Sequence, residues 1–377
     1  MAPARDQPLL VLGIMSGTSI DSVDYALCKI TLEQVRLLRH WQVSFPAGLR
    51  RRLHAAARGE SSSHEVGQLH HDLGRFYAKH SQASSNRRPH LVGLHGQTIY
   101  HHPDPNSPGT LQIGEPAYLV EALRVPVVSN FRAADIAAGG QGAPLATLFH
   151  KTVFARPGRH ICVNNLGGIS NVTSIDWRRR ARLKVLAFDT GPANVLMDLA
   201  IRQFTKGRRQ CDQDGRWAAR GNVLEKVLDR WLKHPYFRRP PPKSTGRELF
   251  GESFLGEMAR ELSRRSPQDV LATLTELTAR SIALNYRLHL SSWPDEVILT
   301  GGGAANRFLV DRIRRQLHAV NPRTKVLISE QLGWPLQAIE AAAFALLAYY
   351  RRTGRTANVP DTTGAKRATL LGQISEP

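Results

Sequence analysis

Cysteine is scarce in this chain: three residues, Cys28, Cys162 and Cys211, stand among 377, with no CxxC spacing. That excludes a disulfide scaffold and a thiolate zinc site, and it suits a reducing cytoplasm. Long apolar runs are missing too. No window approaches about twenty uninterrupted apolar residues, so no membrane-spanning helix is expected. The apolar run at 9–15 is broken by Gly13 and leads into a glycine turn where a small-residue cleavage site would stand, so it does not read as a signal peptide. Acids are the third shortage. The 31 Asp plus Glu face 51 Lys plus Arg, for a net charge of +20. The arginines fall in short groups at 50–52, 87–88, 178–180, 208–209, 238–239, 264–265 and 314–315, with few aromatics between them. They make no basic arm and no recognition-helix pattern. They read as solvated, with no nucleic-acid and no membrane partner, and the surplus suits an anionic substrate. The histidine pairs His70–His71 and His101–His102 point apart on any helix or strand, so neither alone makes a metal site.

What remains is an ordinary globular composition, 42% hydrophobic and 22% charged, over a length that favours two lobes. Apolar β-rich runs at 9–15 and 23–31 flank the turn Ser16-Gly17-Thr18-Ser19-Ile20-Asp21-Ser22, and a third run follows at 35–45. Helical patterns fill 46–58 and 63–82, and a short strand at 90–94 leads to a turn, His95-Gly96-Gln97-Thr98. The stretch 101–109 reads as loop, 125–129 as strand and 145–154 as helix. Then the opening returns. A strand at 161–166, the glycine turn Gly167-Gly168-Ile169-Ser170-Asn171, a return strand at 172–176 and a third strand at 184–188 repeat the first pattern about 150 positions later. Helices are expected around 217–233, 250–265 and 270–291, with a proline-rich surface loop or lid at 234–243. Strand, helix, strand and helix at 296–300, 306–320, 325–329 and 336–350 complete an alternating run. The expectation is a duplicated α/β unit, two lobes facing each other across a cleft. Residues 1–150 make the first lobe and 151–377 the second, with the return of a C-terminal strand or helix to the first lobe left open.

Several residues carry chemistry. A turn such as Gly17-Thr18-Ser19-Ile20-Asp21 offers backbone N–H groups and hydroxyls to phosphate oxygens, and Asp21 would meet those phosphates through Mg²⁺ and water. These are also plain turn residues. A second such turn at 166–171 strengthens the phosphate reading. No GKS or GKT follows the glycines, so neither is a Walker loop. Gly301-Gly302-Gly303, after the strand ending at Thr300, suits either the approach of a flat ligand to the backbone or a tight turn into a helix starting near Ala304. Asp189 ends an apolar strand before Thr190-Gly191-Pro192, with Pro192 suited to the first position of a helix. It reads as a general base or as an Asx turn or cap. Glu340 stands almost alone as an acid in an apolar helix and needs a partner or a cleft. Asp135 is placed to pair with Arg132 one helical turn away.

Taken together, the segments GIMSGTSIDSVDYAL (13–27), GLHGQTIYH (93–101), LQIGEPAYL (111–119), NFRAADIAAGGQGAPL (130–145), NLGGISNVT (165–173) and FDTGPANVLMD (188–198) resemble the anhydro-N-acetylmuramic acid kinase family. So do DQDGRWAARG (212–221), HPYFRRPPPKSTGRELFG (234–251), TGGGAANRFL (300–309), EAAAFALLA (340–348) and GAKRATLLGQI (364–374). The resemblance covers nearly the whole chain in order. It implies the actin-like ATPase (ribonuclease-H-like) fold of sugar kinases and heat-shock-70 proteins. The implied reaction takes 1,6-anhydro-N-acetylmuramic acid, water and ATP with Mg²⁺ to N-acetylmuramic acid 6-phosphate, in peptidoglycan recycling in the cytoplasm. By the same resemblance Gly17, Thr18, Ser19, Ile20, Asp21, Ser22, Val23 and Asp24 form the ATP phosphate loop, with Gly167 and Gly168 the second. Gly301, Gly302 and Gly303 lie near the adenosine. Asp189 is the catalytic base, Glu340 and Arg132 line the sugar site, and a homodimer is implied by the resemblance only. The chain departs from the family pattern at Ser22 (Gly), Asn130 (Asp) and Ala193 (Gly).

Overall fold

Apolar runs joined by a glycine turn fold back on each other twice in this protein. The computed structural model describes residues 7–82, 88–104, 106–179, 183–262 and 264–377; Arg87, Pro105 and Arg180 of the sequence expectations lie outside them. The strands are β1 (Leu9–Ser16), β2 (Ser22–Ile30), β3 (Val35–Ser44), β4 (Leu91–His102), β5 (Gly109–Ile113), β6 (Val127–Ser129), β7 (His160–Leu166), β8 (Ile169–Asp176), β9 (Lys184–Pro192), β10 (Glu296–Thr300), β11 (Lys325–Ile328) and β12 (Gln373–Ser375). They form two sheets, ordered β12-β6-β4-β1-β2-β3 with β5 beside β4, and β11-β10-β7-β8-β9. In the first, β1 runs antiparallel to β2 and parallel to β4. In the second, β7 runs antiparallel to β8 and parallel to β10. The shared connectivity is the duplication expected of an actin-like α/β protein.

The chain divides into two units. One comprises Met1–Val153 and Gln337–Pro377, the other Phe154–Leu336. The sequence reading gave 151–377 to the second lobe and left open the return of a C-terminal strand or helix to the first. The structure groups 337–377 with the first, because β12 pairs with β6 and the Ala338–Arg352 helix lies on β1 and β4. That helix is rich in alanine for a reason visible on the sheet. A methyl group at Gly13 would overlap the Ala341 carbonyl, and one at Gly93 the Phe344 carbonyl. Small residues on both sides let the helix backbone sink onto the strands. In the second unit the Pro267–His289 helix plays the central part. Ser266 caps it, accepting from the Asp269 N–H, and the core of that unit gathers around its apolar face.

Several local expectations are corrected. His95-Gly96-Gln97-Thr98 is no turn but the middle of β4, and the 101–109 stretch includes the end of β4 and the start of β5. Asp189-Thr190-Gly191-Pro192 likewise continues β9, so Pro192 ends a strand and Ala193 precedes the Asn194–Phe204 helix. The hairpin turn of the second unit is only Gly167–Gly168. After Gly301 comes a 3₁₀ turn, Gly302–Ala305, and the α-helix starts at Arg307 behind an Asn306 cap. Around 217–233 only Glu225–Trp231 is α-helical. The proline-rich stretch is no loose surface loop: Tyr236, Phe237 and Lys243 within it are buried.

Candidate active site

In the first unit the β1–β2 turn presents Thr18, Ser19 and Asp21 to solvent, while Ile20 is buried. Ile20 takes φ 57°, a left-handed conformation that costs a β-branched residue energy and is held here by its place in the core. The Gln97 amide donates to the Gly17 carbonyl at 3.1 Å, and the Ile20 N–H to the same oxygen at 3.2 Å. Gly17 itself has no positive φ, and an added Cβ would meet only Ser19 Oγ, at 3.9 Å. Neither conformation nor packing asks for glycine there, so the bare backbone is free for a ligand to approach.

Arg132, Glu340 and Asp24 come together in this unit. The extra residue that β4 carries opposite β1, at His95–Gly96, re-aims His95. Its Nδ1 lies 2.8 Å from the Gly96 carbonyl, and its Nε2 accepts from Arg132 Nε and Nη2 at 3.2 and 3.0 Å. That pattern fixes a neutral ring protonated at Nδ1. Burial and the Arg132 charge hold the His95 pKa well below its usual value. Arg132 also donates to the Gly142 carbonyl at 2.7 Å. Burial lowers its own pKa to about 10, with Glu340 and Asp135 acting against that. Asp135 does not pair with Arg132 directly. It is fully buried and accepts from Gly142 N–H, Asn358 Nδ2 and Thr363 Oγ1, each at 2.8 Å. Glu340 sits in the first turn of its helix, reached by solvent yet crowded by protein. Desolvation and repulsion from Asp24 raise its pKa, and Arg132 opposes them. Asp24 is engaged from β3, by His40 Nε2 at 3.0 Å and Gln42 Nε2 at 3.2 Å.

In the second unit Asp189 stands next to a β-bulge at Thr190, since Asn171 faces Asp189 and Ser170 faces Gly191. The segment 236–245 grips it at three atoms. Thr245 N–H donates to Oδ2 at 2.9 Å, the Asp189 N–H donates to the Lys243 carbonyl at 3.1 Å, and Tyr236 Oη donates to the Asp189 carbonyl at 2.9 Å. Desolvation raises the Asp189 pKa to about 7. The Thr245 bond and Lys243 counter it, and Glu248 adds to it. Behind the bulge a chain of satisfied buried groups runs from Tyr286 through Asn164 and Ser170 to Thr190.

Gly167 and Gly168 give their carbonyls to the start of the Asn194–Phe204 helix: Asn194 N–H bonds Gly167 at 3.0 Å, and Ala193 and Val195 N–H bond Gly168 at 2.9 and 3.1 Å. Like Gly17 they lack positive φ, and no protein atom lies within 3.4 Å of a Cβ added at either. Gly301 and Gly303 differ. Gly301 has φ 76° and would clash with Asn165 and Leu166, and Gly303 would crowd Leu166 and Asn194. The two glycine groups share Leu166 as a neighbour, so the structure brings them together. It leaves Asp189 and the Arg132–Glu340 cluster in different units.

The three departures are accommodated. Ser22 opens β2 without positive φ. Asn130 takes φ 54°, a conformation that Asn tolerates better than most residues. Ala193 has φ −116°. Sequence reasoning missed His95, Lys243, Thr245 and Tyr236. The signal present for His95 was the HGQT wording, which looks like turn punctuation although β4 runs through it, and for the other three the HPYF and PPPKSTG wording, which reads as a loop.

No helix among the described residues is long and apolar enough to cross a membrane. The family model for anhydro-N-acetylmuramic acid kinase matches residues 9–377. A protein of that name from Acaryochloris marina is 41% identical over 378 residues, covering 97% of this chain and 99% of the relative. Another, from Crocosphaera subtropica, is 41% identical over 384 residues, covering 97% and 98%. Among solved structures, an activator of the 2-hydroxyisocaproyl-CoA dehydratase from Clostridium difficile with bound ADPNP aligns over 92% of this chain and 96% of its own, at TM-score 0.43 and 13% identity. With a full-length family match and relatives at this identity, the chain belongs to the anhydro-N-acetylmuramic acid kinase family.

Proposed function

We propose that this chain uses ATP to open 1,6-anhydro-N-acetylmuramic acid with water and to phosphorylate its O6, giving N-acetylmuramic acid 6-phosphate and ADP, in the cytoplasmic recycling of peptidoglycan. Family membership supports the substrate and the phosphoryl donor. The observation that carries the mechanism is the Asp189 carboxyl. Held at a bulge by the Thr245 N–H, with a pKa near 7, it is suited to take a proton from water at neutral pH. Asp189 takes one proton of the water as the water oxygen bonds to the anomeric carbon, and the C1–O bond of the bridge breaks to leave the oxygen on C6. This O6 bonds to the γ-phosphorus as the bond to the β–γ bridging oxygen breaks and ADP leaves. Water on the face opposite the bridge matches the geometry of an inverting glycosidase.

The remaining residues bind and orient. Arg132, fixed by His95 and Gly142, offers its positive charge to the lactyl carboxylate, and Glu340 takes a sugar hydroxyl. Glycines 17, 167 and 168, free of conformational and packing demands, suit close approach of the ATP phosphates. Gly301–Gly303 is assigned to the adenosine side. Magnesium, when bound, neutralises the polyphosphate charge. Asp21, exposed on the turn, is the carboxylate assigned to its water shell, and the hydroxyls of Thr18 and Ser19 fit the same role.

The test is turnover of 1,6-anhydro-N-acetylmuramic acid with Mg-ATP in ¹⁸O-water, read by mass spectrometry with ADP release. One ¹⁸O at the anomeric position and one phosphate at O6 are expected. ADP release without sugar product, or a product lacking the label, overturns the proposal.

A further inference from the structure

We infer that Lys243 is a positioning residue for Asp189: its buried ammonium pins the 243–245 segment against β9 and so sets the direction and the electrostatic surroundings of the Asp189 carboxylate. The inference rests on reading Asp189 as the base. A lysine 6% exposed is unusual and needs partners. Lys243 Nζ has three, the carbonyls of Tyr236 at 3.2 Å and Phe237 at 3.5 Å and Asn285 Oδ1 at 2.6 Å. The rings of Tyr236 and Phe188 flank it at 4.9 and 5.8 Å. An ammonium has three protons to give, and all three are spoken for, so this one has none left for substrate. It acts through its neighbours. Asn285 donates in turn to the Thr190 carbonyl at 3.0 Å, which ties ammonium, helix and bulge into one unit. From the same backbone stretch come the carbonyl that receives the Asp189 N–H and the Thr245 N–H that holds Oδ2.

A neutral side chain would fill this volume without the cost of burying charge. What the charge adds is opposition to Glu248, the carboxylate three residues beyond Thr245 whose charge acts against ionised Asp189. Among the described residues, Tyr236 and Arg239 are the other ionisable groups acting on the carboxylate and its partner, and His289, on the Pro267–His289 helix, acts on Lys243.

The test compares the pH profile of kcat/KM for the wild-type chain, Lys243→Met, Lys243→Arg and Asp189→Asn. Lys243→Met is expected to move the acid limb up by about half a pH unit to one unit, because the cation that favours ionised Asp189 is gone. Lys243→Arg brings the limb back towards wild type, and KM for ATP stays unchanged in both. A uniform fall in rate with an unmoved limb means a merely structural lysine and overturns the proposal. Should Lys243→Met fail to fold, Asn285→Ala takes its place. An ammonium short of one acceptor loses its proton more readily, so the limb again moves up, and an unmoved limb again overturns the proposal. The Asp189→Asn variant separates the two readings. If it turns over normally, the base assignment itself is wrong. If it is inactive while the Lys243 variants keep the wild-type limb, only the role of Lys243 falls.

Discussion

Asp189 concentrates the consequences at the scale of single residues. With a pKa near 7 it is half-ionised at neutral pH, so kcat/KM should rise with pH through about 7 and flatten above it. A pH–rate series checks this, and a limb near pH 4 would mean a carboxyl not raised by its surroundings. Asp189→Asn is expected to fold and bind ATP but to lose turnover by at least about a hundredfold, the usual range for removal of a general base. The same residue should cost stability. A carboxyl whose folded pKa is raised above its unfolded value binds more protons when folded, so stability falls as pH rises from about 4 through 7. Asn imitates the neutral form. Thermal unfolding at pH 8 should therefore show Asp189→Asn at least as stable as the wild type, with the gap closing at pH 4. Asp189 was legible in the sequence as an acid at the close of an apolar run, although the strand itself runs on to Pro192. Lys243 and Thr245 were not, because their importance comes from backbone bonds to a residue more than fifty positions earlier, and no local pattern encodes such a pairing.

Among the elements, the glycines divide into two kinds that alanine substitution can tell apart. Gly17 and Gly168 have room for a methyl group and no positive φ. Gly17→Ala and Gly168→Ala should leave the stability within about 0.5 kcal/mol of wild type, as surface changes usually do, yet raise KM for ATP. Unchanged KM would remove these turns from phosphate binding. Gly13→Ala is expected to do the reverse, because its methyl group collides with the helix carrying Glu340. Overpacking of this kind costs roughly 1–3 kcal/mol or more, measurable by denaturant unfolding. The duplicated strand order was readable from periodicity and turn signals. What misled was the site itself. Gly96 at φ 78° and Gly191 at φ 136° are bends inside long strands, and the residues that bend a strand beside a site are those that end one elsewhere.

For the whole molecule the telling group is Asp135, which joins positions far apart in sequence. It holds the Gly142 N–H, Asn358 and Thr363 inside the first unit. Asp135→Ala strands several buried donors and should lower stability by about 2–4 kcal/mol. Chemical denaturation measures it, and a loss under about 0.5 kcal/mol, the range of ordinary surface changes, would show the lock to be idle. The division into lobes was legible from the repeated pattern. The return of 337–377 to the first unit was left open, since a helix that is apolar on nearly every side announces burial without naming the sheet it covers. That return has a consequence for how the protein is made. A ribosome makes the chain N-terminus first, so β1 and β4 appear before the Ala338–Arg352 helix, with the notches at Gly13 and Gly93 still unfilled. The whole of Phe154–Leu336 is synthesised before the Ala338–Arg352 helix exists to fill them. The second unit can close its core during translation, whereas the first must leave the notched face of its sheet uncovered until residues 338–352 have been translated.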